Sequence, residues 1–249
     1  MNNLLLQCRN LARITYLELL WSFRIPESLV FNFLTPALVL LLLGFIRGSK
    51  DYMPILVSGL IALTIASSTM QGIGTKISMM RAHGSWRTLQ ASPIPTGLYF
   101  IGLLLSRMVR IILIVGFMLT ISFIFLGYRM QGSFALMLFY VILGTFVFAA
   151  LGMVVASLVS SPQAISGALS MILLPMIFIS DVLFITKLAW VKTVSLFFPL
   201  TYLVRLIRNN LWGEGLGDDG LMNLGILAVW LALGSWAAVA LAKRKVEEK

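Results

Sequence analysis

Apolar residues gather in long blocks separated by short polar stretches, and that alternation predicts a bundle of membrane-spanning helices. The first block, 29–46, is closed by Arg47, Lys50 and Asp51, and the second runs over 55–73. Each is close to the roughly 20 residues that a helix needs to cross about 30 Å of hydrocarbon. The third block, 98–128, is longer than one span requires, and Arg107 and Arg110 interrupt its first half. The expectation is a surface helix over 98–110, whose arginines snorkel to lipid phosphates, and then a span over 111–126. Further spans are expected over 134–159, over 165–185 with a break at Pro175, and over 221–241, stopped by Lys243, Arg244 and Lys245. Ahead of them, residues 1–27 set Leu11, Ile14, Leu17 and Trp21 at near-helical spacing among Arg9, Arg13, Glu18 and Arg24. That pattern suits an amphipathic helix lying in the interface. The fold class is therefore all-α and polytopic, with about six transmembrane helices in one membrane domain over 1–249.

Composition supports the same class. The chain is 59% hydrophobic and 11% charged, against about 45–50% and about 25% in soluble domains. Its net charge of +10 is read as basic residues flanking spans and facing anionic lipid, not as a nucleic-acid surface, because no basic run is interleaved with aromatics. Placing the N-terminus inside leaves seven basic residues outside, Arg47, Lys50, Arg129, Lys187, Lys192, Arg205 and Arg208, out of 19. The excess inside predicts both termini in the cytoplasm, and the chain is expected in the cell (inner) membrane. No cleaved leader is expected, since the early Leu4-Leu5-Leu6 run is shorter than a signal peptide's apolar core. One cysteine, Cys8, and one histidine, His83, leave no internal disulfide and no Cys-cluster or two-His metal site. No G-x-x-x-x-G-K-[ST], G-x-S-x-G or H-E-x-x-H pattern occurs. No catalytic, cofactor or metal residues are assigned.

Two stretches carry the candidate function. Residues 76–97 are polar and basic, with Lys76, Arg81 and Arg87 and no acid, and they end in the turn signal Ser92-Pro93-Ile94-Pro95. Ile77, Met80, Trp86 and Leu89 give the stretch amphipathic spacing, and that face is expected to meet a water-soluble partner. Gly84 lets the backbone turn or approach closely. The second stretch runs from Ser180 and Asp181 through the semi-polar external segment 186–219, with Pro199, Tyr202 and Arg208. Asp181 is the one acid inside an apolar block and is read as a hydrated acid at the outer mouth, in preference to an ion site.

These residues resemble the membrane-spanning permease subunits of the ABC type-2 transporter family, which are exporter-type. The loop after the second span shows Arg81, Gly84, Leu89, Ser92 and Pro93, similar to the family's Arg-Glu-x-Gly-[ST]-hydrophobic-x-x-Leu-x-x-[ST]-Pro stretch. The fifth span ends Phe178-Ile179-Ser180-Asp181-Val182-Leu183-Phe184, close to Phe-x-Ser-Gly-x-x-Phe. Phe198-Pro199-Leu200-Thr201-Tyr202 then leads to Arg208, as Asn-Pro-Leu-Thr-Tyr leads to an arginine in the family. There are departures. The family commonly carries acids where this chain has Ala82 and His83, and glycine where it has Asp181, so the helix break is assigned to Pro175.

The resemblance implies a permease subunit, itself not an enzyme, of an ATP-driven exporter for an amphiphile such as a drug, lipid, peptide or polysaccharide. It implies a separate ATP-binding cassette subunit that holds the ATP, a second identical or different membrane subunit, and short external re-entrant helices before the last span. Arg81, Gly84, Trp86, Arg87 and Leu89 would couple to the ATPase. Ser180, Asp181, Pro199, Tyr202 and Arg208 would form the external re-entrant or gate region. Two rivals come from other classes. A self-sufficient ion-coupled carrier or channel would lean on Asp181 or on inverted repeats, and a membrane-embedded lipid transferase would need clustered acids or histidines.

Overall fold

In a membrane every backbone N–H and C=O must find its partner within the protein, so apolar runs of this length fold as helices. The computed structural model describes residues 2–24, 30–47, 49, 52–92, 95–159, 161–182, 189–217 and 219–247. Within those, the side chains of 2–6, 31, 86, 87, 90, 162, 189 and 242–247 are outside the description. The described residues are all-helical, without strands. In order they are α1 (Asn2–Arg24), a π-helical turn (Val30–Leu34), α2 (Thr35–Arg47), α3 (Tyr52–Ala82), α4 (Ser85–Ala91), α5 (Thr96–Leu126), α6 (Phe134–Leu158), α7 (Pro162–Ile179), α8 (Ala189–Ser195), α9 (Pro199–Trp212) and α10 (Gly220–Glu247).

Among the described residues four helices are long and apolar enough to cross a membrane: Tyr52–Ala82, Thr96–Leu126, Phe134–Leu158 and Gly220–Leu241. Two shorter apolar helices, Asn32–Arg47 and Gln163–Ile179, stand where the first and fifth spans are expected. The chain is a polytopic membrane protein. The central helix is α3, which packs against α2, α5, α6, α7 and α9. Its Leu56, Ile61, Ile65, Met70 and Ile73 are fully enclosed. By contrast α10 turns Leu221, Val229, Leu233 and Trp236 outward, as a lipid-facing helix does. Helix α1 lies along α5, with Ile14 seated on Gly102, and leaves Tyr16, Leu17 and Trp21 exposed.

The two ends of the bundle are distinct. One holds α1, α4 and the α6–α7 turn; the other holds the α5–α6 loop and the C-terminal end of α9. Helix α9 has 14 residues and is about 21 Å long at 1.5 Å per residue, too short to cross. Its Asn210 is bonded to Ser133, just before α6 begins, while its Leu203 packs at Gly144, well inside α6. Helix α9 therefore dips into the bundle from one end and stops near mid-depth.

Two expectations change. First, 98–128 is not a surface helix followed by a short span. Helix α5 runs unbroken for 31 residues. Arg107 and Arg110 do not snorkel outward; Arg110 is 8% exposed, and Arg107 donates from Nη2 to Gly72 O at 3.1 Å. Arg107 bonds the Gly72 carbonyl on α3 and Arg110 faces a polar cavity beside it, so nothing forces the helix to bend away. Second, α7 passes through Pro175 to Ile179. The break falls at Asp181, which adopts a left-handed φ of 51°. Aspartate tolerates that region better than most side chains, so it stands in for the usual glycine. Residues 183–188 lie outside the described residues, and with them the expected end of the fifth span and the start of the 186–219 segment.

Candidate functional site

The basic stretch 76–97 divides on folding. Lys76, Ile77, Met80 and Arg81 form the last two turns of α3. Ile77 and Met80 are 3% and 9% exposed. They are core residues, and the partner-binding face expected of them is corrected: helical spacing alone does not say which side of a stripe is covered. Arg81 donates from Nη1 to Ala156 O at 2.7 Å, pinning the end of α3 to the end of α6. After His83 the chain turns on Gly84, at φ 68° with nothing within 4 Å of where a Cβ would stand. Only glycine takes that conformation freely. Helix α4 follows, packed on the end of α3, and Ser92 caps it through Oγ to Leu89 O at 2.7 Å. Leu89 is half-buried; Ser85, Thr88 and Ala91 are exposed. The side chains of Trp86 and Arg87 lie outside the described residues, as do Pro93 and Ile94.

In the last two turns of α3, ahead of α4, three helices meet. Lys76 Nζ lies 2.9 Å from Glu18 Oε1 and 4.7 Å from the Trp21 ring centroid. Tyr99 OH donates to Glu18 Oε1 at 3.0 Å. Helices α1, α3 and α5 are thus joined through one carboxylate. The sequence reading missed this joint. Its one signal was that Glu18 is the lone acid among the arginines of α1.

At the opposite end Arg208 is the hub. It is 7% exposed, donates from Nη2 to Asp181 O at 2.7 Å and from Nε to Ser58 Oγ at 3.3 Å. It ties α9 to the turn after α7 and to α3. That turn presses on α3 so closely that a Cβ at Gly59 would collide with the Val182 carbonyl. Ser180 is fully buried. Pro199 begins α9, where its missing N–H is no loss. Thr201 Oγ1 and Tyr202 OH each donate at 2.7 Å, to Ser195 O and Leu196 O, and so fix the α8–α9 corner. Asn210 clasps Ser133 in both directions, at 3.0 and 3.1 Å. Tyr128 OH donates to Leu211 O at 2.9 Å. Burial pushes the Tyr128 hydroxyl up to about 12, so it keeps its proton as a donor. Among the described residues no group of three or more His, Cys, Asp or Glu gathers to hold a metal.

The model of the ABC-2 type transporter family matches residues 10–212, which take in both ends of the bundle just described. The chain belongs to the ABC-2 type transporter family. It is a transmembrane permease subunit of an ABC transporter, a transport subunit whose family works with an ATP-binding partner. It is similar to the Nodulation protein J of Neorhizobium galegae, 25% identical over 241 residues, covering 92% of this chain and 91% of that protein. It is also similar to the Nodulation protein J of Bradyrhizobium diazoefficiens, 26% identical over 209 residues, covering 83% and 79%.

Proposed function

We propose that this ABC-2 permease is the membrane subunit of an exporter of amphiphiles, that α4 docks on a separate ATPase, and that the α1 end of the bundle faces the cytoplasm. The observation that carries the reading is α4 itself. It is a short helix joined to the end of α3 through a left-handed glycine, with exposed Ser85, Thr88 and Ala91. Trp86 and Leu89 belong to it as apolar anchors, of the kind that carry much of an interface's energy, and Arg87 would orient the contact from its rim. Arg81 and the Glu18 joint then link α4's base to α6, α1 and α5. Two such membrane subunits would line the pathway, with Ser180, Asp181, Pro199, Tyr202 and Arg208 shaping its outer end. ATP is held by the partner; this chain contributes contacts that differ between the partner's two states.

Substitution of the α4 anchors tests this. Trp86→Ala with Leu89→Ala should lower the amount of ATPase that co-purifies and separate ATP hydrolysis from transport, while membrane insertion stays normal. A variant that still binds the ATPase and transports at the native rate would refute docking through α4.

A further inference from the structure

A polar cavity of about 250 Å³ opens between the π-helical turn, α3 and α5, on the α1 side of the middle of α3. Its walls are Asn32, Ser67, Ser68, Gln71, Gly72 and Thr75, with Arg107 and Arg110. Every one of these side chains is neutral or cationic. The two arginines are three residues apart on α5, so they share a face. Arg110 is buried yet has no hydrogen bond or ion pair among the described residues. Arg107 has one, to the neutral Gly72 carbonyl, and its Nε is buried without a partner among the described residues. The nearby carboxylate of Glu18 is already engaged by Lys76 and Tyr99.

The cavity is built around the guanidinium. A Cβ at Gly72 would stand 2.6 Å from Arg107 Cζ, so the glycine leaves the room that the side chain fills. Asn32 sits in the π-helical turn, where the local widening brings its Oδ1 within 3.2 Å of Ser68 Oγ. The two guanidiniums share the field of one carboxylate, Glu18, whose short contacts go to Lys76 and Tyr99, so their burial carries a desolvation cost that an anion in the cavity would lower. Planar guanidiniums match phosphate oxygens in bidentate geometry. Drug-sized ligands need roughly 300–1,000 Å³, so the cavity suits a headgroup whose tail stays outside, in lipid.

We infer that Arg107 and Arg110 form a binding site for an anionic, phosphate-type headgroup. The site extends the transport reading by giving the amphiphile a charge, but binding there needs no ATPase. A chain that binds such a headgroup yet never couples to an ATPase would sink the transport reading and leave this site standing.

The test uses the full chain in nanodiscs of equal phosphatidylcholine and phosphatidic acid, and native mass spectrometry of the lipid it retains. The wild type should retain phosphatidic acid over phosphatidylcholine by roughly tenfold or more, the scale of one charge-assisted hydrogen bond. Arg107→Gln with Arg110→Gln should abolish the preference. Arg9→Gln with Arg13→Gln, which removes the same charge from the exposed face of α1, should keep it. Ser67→Leu fills the cavity and spares both arginines; its hydroxyl bonds only its own helix, at Leu63 O. It should also lose the preference, and it decides the matter if the double arginine variant does not fold. Displacement by excess inorganic phosphate would show that the anion alone is read, and resistance to it would show that the lipid tail contributes. Retention unchanged in Ser67→Leu and in the arginine double variant, or lost equally in the α1 control, would overturn the inference.

Discussion

The joint at Glu18 permits a quantitative prediction. Lys76 Nζ lies 2.9 Å from Glu18 Oε1, and the two side chains are 21% and 15% exposed. At an effective dielectric of about 20 the bare attraction is about 6 kcal/mol. Desolvation and the ordering of two long side chains consume most of it, and partial exposure lowers it further. A net coupling of about 1–2 kcal/mol remains, between the value of an exposed pair and that of a buried one. A double-mutant cycle isolates that coupling. Glu18→Gln removes the charge but keeps an acceptor for Tyr99; Lys76→Met removes the ammonium and keeps most of its length. Unfolding of the four proteins by sodium dodecyl sulfate titration in mixed micelles should return a coupling of about 1–2 kcal/mol, with Glu18→Gln costing about as much alone. The same substitution should reduce transport per ATP hydrolysed, because α1 then follows α3 less tightly. Single costs that add to within about 0.5 kcal/mol in the double variant would show that the pair does not couple, and the joint would be mere proximity.

Two further predictions concern the opposite end and the orientation. At Asp181, glycine should be accepted without loss of folded protein, while Asp181→Val should cost about 1–2 kcal/mol in the same titration, because a β-branched residue resists φ 51°; equal stability of the three would mean that the turn is not held in the left-handed region. In a Cys8→Ser background, Ser85→Cys should be labelled by an impermeant maleimide only from the cytoplasm and Glu214→Cys only from outside, both being exposed sites; the reverse pattern would invert the proposed topology.

Hydropathy made the membrane bundle legible, because the cost of exposing backbone to lipid leaves few alternatives to a helix. Short re-entrant helices before the last span were expected from the family resemblance alone; no local pattern in 186–219 marked where one would begin, and the 14-residue α9, too short to cross, is what folds there. What stayed hidden depends on long-range pairing. Glu18 and Lys76 are 58 residues apart, and no local pattern marks them as partners. Arg107 and Arg110 looked like the edge of a span, since a charge in an apolar run reads the same whether it meets lipid phosphate or a carbonyl on a neighbouring helix. Ile77 and Met80 looked like part of a docking face, because periodicity reveals a stripe and not its cover. Asp181 was taken as a residue that could not replace glycine, yet its short polar side chain tolerates the left-handed turn, and Pro175 was left without the role assigned to it.

One helix touches both ends of the bundle. Near its start α3 offers Ser58 to Arg208 and Gly59 to the turn at Val182. In its last two turns it offers Lys76 to Glu18 and Arg81 to Ala156. Its one proline, Pro54, lies in the first turn, where the missing N–H interrupts no helical bond. Helix α3 is therefore an unbroken rod of 31 residues, about 46 Å long. Because the core around it is close-packed, a push on its α4 end is relieved by moving the whole rod against its neighbours rather than by local compression. Among the packed apolar contacts at its far end, the polar ones are directional: Arg208 on the Ser58 hydroxyl and on the Asp181 carbonyl, beside the Val182 backbone pressed on Gly59. Those contacts are the ones that a shift of α3 would make or break. An ATPase that held α4 differently in its two states would therefore act on Arg208 and Asp181 through α3.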